Sequence, residues 1–140
     1  MSNSEQQFQH LRNQVVQGVF VVTITAARLD SDILTDELRQ DLFAAVDATA
    51  SLNVVLNFQN VQMLHSQALR VLVDFRRKIA ERSGRVVLCG LSPTLVEILQ
   101  IVGFINRSDA PQNLFETAAD VPAVLARWND ASPQKNSVAD

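Results

Sequence analysis

Three side chains in this sequence carry chemistry that could act on something else: Cys89, His65 and Ser66. A thiol becomes a nucleophile when a nearby base takes its proton, so Cys89 and His65 would form a dyad if two strand ends brought them together. Cys89 follows Val86-Val87-Leu88, however, and a cysteine in such a run behaves as a small buried hydrophobe. Packing is the better account of it. Ser66 opens an amphipathic stretch directly after a short turn, Gln59 to His65. A serine there serves as a helix N-cap, or it accepts a phosphoryl group that free backbone N–H groups and the positive end of the helix dipole would stabilise. Arg70, one turn further on, could pair with such a phosphate. Spacing alone favours the cap.

Other chemistries lack their residues. Nucleotide loops need several glycines between a strand and a helix. The four present, Gly18, Gly84, Gly90 and Gly103, are isolated. His10 lies near the polar start, and His65 has no further ligand at metal spacing. The sequence therefore predicts neither a cofactor nor an enzymatic activity. A net charge of -3, from 12 basic and 15 acidic residues, argues against direct nucleic-acid binding. The basic cluster Arg70, Arg76, Arg77, Lys78, Arg82 and Arg85 is interrupted by Asp74 and Glu81, and reads as a solvated face laced with ion pairs. No apolar run approaches the roughly 20 residues of a membrane span. The single cysteine rules out a disulfide framework, so the expected location is cytoplasmic.

The elements that must position these residues follow from periodicity. Val15 to Thr25 reads as two short strands with a tight turn at Gln17-Gly18, or else as one long strand with a bulge at Gly18. After the capping residues Asp30-Ser31-Asp32, the spacing of Leu34, Leu38, Leu42, Ala45 and Val46 predicts a helix over Ile33 to Ala48. Its polar side, Asp36, Glu37, Asp41 and Asp47, is a solvated face. Leu52 to Phe58 is a near-continuous apolar strand, of the kind covered on both sides. In the helix from Ser66, the expected core stripe is Leu69, Leu72, Val73, Arg76, Ile79 and Ala80, with Val71 and Phe75 as a second flank. Ser83-Gly84 ends it with a left-handed glycine cap. Arg85 to Cys89 is a further buried strand, followed by Ser92 as cap and Pro93 at the first position of another helix closed by Gly103. A loop over Asn106 to Gln112, a strand near Asn113 to Thr117, and a helix from Val121 to Trp128 complete the order β-β-α-β-α-β-α-β-α. That order implies right-handed crossovers and a largely parallel sheet of four to five strands with about four helices. One domain over 11–128 is expected, with flexible ends at 1–10 and 129–140.

The run Val54-Val55-Leu56-Asn57-Phe58 through Val61 to His65-Ser66-Gln67-Ala68-Leu69 resembles the signature of STAS domains, named after sulfate transporters and anti-sigma factor antagonists. In that family a strand ending in Leu-Asp-Leu leads through a Val and a turn to Asp-Ser-Ser-Gly, which opens a helix. The likeness covers nearly all of residues 13 to 128. It implies an α/β STAS-like fold and partner switching. The unmodified antagonist binds an anti-sigma factor that is also a serine kinase, phosphorylation of the turn serine dissociates the pair, and a phosphatase resets it. The matching serine is Ser66, and the implied partner surface comprises His65, Ser66, Gln67, Leu69, Arg70 and Val71. A homodimer is compatible with this role. His65 stands at the family's Asp, Gln67 at its second Ser, Ala68 at its Gly, and Arg70 at a small residue. Those departures suit an alternative, a constitutive subunit of a stress-signalling or lipid-transport ATPase assembly with Ser66 only a cap.

Overall fold

The computed structural model describes residues 8–50, 53–105 and 115–131. Along the chain run β1 (Leu11–Val16), β2 (Val19–Ile24), β3 (Arg28–Leu29), α1 (Asp32–Asp47), β4 (Asn53–Asn57), β5 (Met63–Leu64), α2 (Ser66–Glu81), β6 (Arg85–Cys89), α3 (Pro93–Ile101), β7 (Glu116–Ala118) and α4 (Val121–Ala131). Five strands form one sheet in the order β1-β2-β4-β6-β7. β1 pairs antiparallel with β2, and every other neighbour is parallel. The hairpin closes at Gln17 and Gly18, whose φ angles of 54° and 81° match the right-handed twist of the flanking strands.

Alternation along the strands divides the core in two. Phe20, Val22, Ile24, Val54, Leu56 and Leu88 face α1, α2 and α3. Val19, Val21, Val55, Val87 and Cys89 face the other way, against Val124 and Trp128 of α4. The central strands are thus buried on both faces, which is why they read as continuous apolar runs rather than alternating ones.

Several sequence expectations shift. The stripe of α2 that enters the core is Ala68, Val71, Leu72, Phe75 and Ile79, so Val71 and Phe75 are central while Leu69, Val73 and Arg76 sit at the margin and Ala80 is exposed. Two overlapping i, i+3, i+4 patterns exist on this helix, and the one carrying the aromatic wins because it removes more apolar surface from water. α4 continues to Ala131, past the expected end at Trp128. Residues 8–10, expected to be loose, are tied down. Phe8 packs against the core, the Gln9 and His10 N–H groups donate to Asp41, and the His10 ring lies 2.8 Å from Glu37. The acidic side of α1 is therefore partly engaged within the chain, and Asp47 likewise pairs with Lys78 at 2.9 Å. The expected strand start at Leu52, the loop 106–112, the strand start at Asn113 and the tail beyond 131 lie outside the described residues.

The close of α2 also differs. Ser83, not Gly84, takes the left-handed conformation, with φ 61°. The Gly84 N–H reaches the Ile79 carbonyl and the Ser83 N–H the Ala80 carbonyl, the paired bonds of a Schellman cap. A side chain in that conformation is strained. Ser83→Gly is therefore expected to stabilise the fold by about 0.5–1 kcal/mol, net of the added freedom glycine gives the unfolded chain. The midpoint of urea unfolding should rise with an unchanged slope, and a fall would refute the assignment of strain to Ser83.

Candidate functional site

The chain between β4 and α2 is stitched to its neighbours almost residue by residue. The Phe58 N–H donates to the Cys89 carbonyl at 2.9 Å, and the Val61 N–H closes a turn onto the Phe58 carbonyl at 2.9 Å. The Gln62 N–H bonds Ala27 at 2.6 Å and the His65 N–H bonds Leu29 at 3.0 Å. Between those two bonds β5 lies parallel to β3, a two-residue ladder where the sequence predicts a plain turn. Single ladder rungs of this kind leave no periodic trace, since two residues cannot show a period.

This ladder decides where α2 begins. His65 is held extended, with φ -107° and ψ 179°, and its carbonyl accepts the first helical bond, from Leu69 N–H at 3.2 Å. His65 is therefore the N-cap, with no side-chain capping bond, and Ser66 is the first helical residue. The expected capping role of Ser66 does not hold. The caps in this fold are Ser31 on α1 and Ser92 on α3, whose hydroxyls accept from Leu34 and Leu95, and Asp120 on α4. Ser66 is exposed, and its hydroxyl has no hydrogen-bond partner among the described residues. The N–H groups of the first turn have no intrahelical acceptors either.

Around Ser66 the surface is small and mixed. Gln67 and Arg70 are exposed, and Arg70 makes no ion pair among the described residues. The His65 ring is half-buried, its two nitrogens shielded and without hydrogen bonds. Asp32 Oδ1 lies 3.6 Å from Nε2, too far for a hydrogen bond but close enough to attract the ring when it is protonated. Asp32 belongs to α1, and its neighbour Ile33 is 76% exposed. The sequence carries a signal for that flank: Ile33 lies off the Leu34, Leu38, Leu42 stripe. Leu69 is half-buried against the core, and Val71, expected on the partner surface, is 6% exposed and part of the core. Three residues beyond Ala68 on the same helical face, it cannot also face outward.

Behind this connection stands Gly90, with φ +69°. An added Cβ would sit 2.5 Å from Asn57 Oδ1 and 2.9 Å from the Gln59 nitrogen. Asn57 is itself buried, and its Oδ1 accepts from the Gln59 N–H at 3.1 Å.

The sequence model of the STAS domain family matches residues 10–121. The chain belongs to the STAS domain family. BtrV of Bordetella bronchiseptica, which carries the name of an anti-sigma factor antagonist, is 30% identical over 99 residues, 71% of this chain and 78% of that protein. Solved structures share the fold. An RsbS variant from Moorella thermoacetica superposes with a TM-score of 0.70 at 17% identity, over 90% of this chain and all of that one. The antagonist SpoIIAA in its unphosphorylated form gives 0.60 at 16% identity, over 86% of this chain and 97% of that one. The phosphorylated form of Bacillus SpoIIAA gives 0.52 at 20% identity, over 66% and 83%.

In this STAS domain the Cys89–His65 dyad is not assembled. Cys89 points to the α4 side of the sheet, among Val55, Val87 and Val124, whereas His65 borders the α1 side. Burial, and secondarily the charge of Asp120, pushes the Cys89 thiol up to about 12 from its ordinary 9.0. A shift of that size lowers the thiolate fraction near neutral pH by roughly a thousandfold. Alkylation of the native protein by iodoacetamide at pH 8 should accordingly run about 10³ times slower than in urea. Equal rates in the two solvents would contradict the burial. The sign for stability follows: the unfolded thiol ionises near 9 and the native one near 12, so the thiol's contribution is complete below pH 9 and is lost as pH rises toward 12. Among the described residues no three His, Cys, Asp or Glu side chains gather as a metal site would require, and no helix is long and apolar enough to cross a membrane.

Proposed function

We propose that this protein is an anti-sigma factor antagonist that works by partner switching: unmodified, it docks on an anti-sigma factor that is also a serine kinase, and phosphorylation of Ser66 releases it. The observation that carries this reading is the Ser66 hydroxyl, exposed and without a hydrogen bond among the described residues, on the first residue of a 16-residue helix. A capping serine has its oxygen occupied by a backbone N–H, whereas this one is left for chemistry because His65 holds the cap position. The relatives support the reading, since SpoIIAA is known in both phosphorylated and unphosphorylated forms and BtrV bears the antagonist's name.

The docking surface is Ser66, Gln67 and Arg70, with His65 and the outer edge of Leu69 beside them. A phosphoryl group adds a charge of about -1.5 to -2 at neutral pH. On Ser66 it is favoured by the helix dipole and lies one turn from Arg70, which makes no ion pair among the described residues, so the free protein tolerates it. Buried against a partner shaped for a neutral hydroxyl, the same charge loses its water and opposes binding. A phosphatase completes the cycle.

The test is incubation with the cognate anti-sigma kinase and ATP, followed by peptide mass spectrometry. Label is expected on Ser66 alone, and Ser66→Asp should weaken partner binding by about a hundredfold. Label elsewhere, or unchanged affinity of Ser66→Asp, would sink the switch.

The second reading, a constitutive subunit of a stress-signalling or lipid-transport ATPase assembly, draws on His65. At the cap it makes no side-chain bond and brings to the helix N-terminus a ring whose protonated form opposes the dipole. A complex recovered from native lysate that contains an ATPase, and that survives both ATP and Ser66→Asp, would favour it.

A further inference from the structure

On the sheet face that α4 covers, the helix rests mainly on β4, β6 and β7 and packs with Val19 and Val21 at the start of β2, while Arg12, Gln14 and Thr25 stay exposed and Thr23 partly so. A cavity of about 480 Å³ occupies that uncovered part. The register sets Arg12 opposite Thr23 and Gln14 opposite Val21, which places Arg12, Gln14, Thr23 and Thr25 on one face; Gln59 and Asn60 form the rim. Thr25, Gln59 and Asn60 carry its far end past the carboxyl ends of the parallel strands β2 and β4, the side of an open α/β sheet where ligands are held.

Its lining is almost wholly polar. Arg12 is its one charged side chain, Val21 its one aliphatic, and it has no aromatic. Arg12, Gln14, Thr25 and Gln59 have side chains with no hydrogen bond or ion pair to another described residue. Most arginines here are engaged: Arg28 with Asp30, Arg39 with Asp74, Arg82 with two carbonyls, Arg85 with Glu116. The floor is also fixed in advance. Buried Asn57 holds the Gln59 N–H at 3.1 Å and reaches Thr23 Oγ1 at 3.5 Å. An unpaired guanidinium calls for an anion, and hydroxyls and amides around it both donate to and accept from ligand hydroxyls. Without an aromatic there is no platform on which a base could stack.

We propose that this cavity binds a small hydroxylated anion, a sugar phosphate or a sugar acid. Arg12 holds the anionic group, and Gln14, Thr25 and Gln59 hold the hydroxyls. The volume suits a ligand of that size.

Amide chemical shifts of the intact chain, titrated with glucose 6-phosphate, with gluconate and with glucose, test the proposal. Saturable shifts at Arg12, Thr25, Gln59 and Asn60 are expected with at least one anion and none with glucose. Response to glucose 6-phosphate alone identifies a phosphate ligand, and response to gluconate alone a carboxylate. Arg12→Gln should raise the Kd about tenfold or more, and Thr25→Val should raise it severalfold, with dispersed spectra showing that both variants fold. Arg77→Gln, which removes a cation on the exposed side of α2 that likewise has no ion pair among the described residues, should leave the Kd unchanged. Absence of saturable shifts with either anion, or equal losses in Arg12→Gln and Arg77→Gln, overturns the site.

Discussion

Gly90→Ala is expected to lower the unfolding free energy by about 2–5 kcal/mol, a large part of the whole stability of a domain this size. Two penalties combine. At φ +69° an L side chain is strained by roughly 1–2 kcal/mol. The new Cβ also meets Asn57 Oδ1 at 2.5 Å and the Gln59 nitrogen at 2.9 Å, and such overpacking adds about 1–3 kcal/mol. The first contact is with a buried side chain that is already bonded to Gln59, and the second is with backbone. Neither neighbour yields cheaply, so the thermal midpoint should fall by roughly 10 °C. Asn57→Ala in the same chain removes one obstruction and leaves the other and the strain. The double variant should thus recover less than half of the loss beyond its own, a non-additivity that a double-mutant cycle reads directly. A midpoint within a degree of the parent would mean that the β4 and β6 ends do not approach as described.

Phe58→Ala should destabilise by about 3–5 kcal/mol, the usual range for deleting a fully buried ring. Phe58 is 0% exposed and belongs to the larger core cluster. Its backbone is also the hinge of the site: its N–H bonds Cys89 and its carbonyl closes the turn with Val61. Loss of the ring should reach Ser66 through that connection. Hydrogen exchange at Val61, Gln62 and His65 is expected to quicken more than exchange in α1, whereas a uniform increase would show that the ring supports only the core. Phe58→Leu, which nearly conserves volume, should lose no more than about 1.5 kcal/mol.

The surroundings of Ser66 show how little of a site spacing alone discloses. A serine after a turn and before an amphipathic run is the expression of an N-cap, and nothing local distinguishes residue 65 from residue 66 as the cap. The difference lies in Leu29, 36 positions earlier, whose carbonyl holds the His65 N–H and keeps that residue extended. Ser83 teaches the same lesson. Glycine is the expected left-handed residue, yet the helix ends one position earlier, where α2 leaves the core and Arg82 bonds the Val46 and Thr49 carbonyls at the end of α1.

By itself the sequence determined the order of the main-sheet strands and the helices, the double-sided burial of β4 and β6, the cap at Ser92, and the membership of the STAS domain family. Each of these is written in contiguous residues, through hydrophobic period, capping chemistry or a run of signature positions. Only the tertiary structure decided which stripe of α2 meets the sheet, that Val71 is core rather than surface, that His65 caps and Ser66 stays free, and that Arg12 faces an open polar cavity. Those outcomes depend on contacts between residues far apart in the chain, where competing local preferences are nearly equal in energy and packing selects among them.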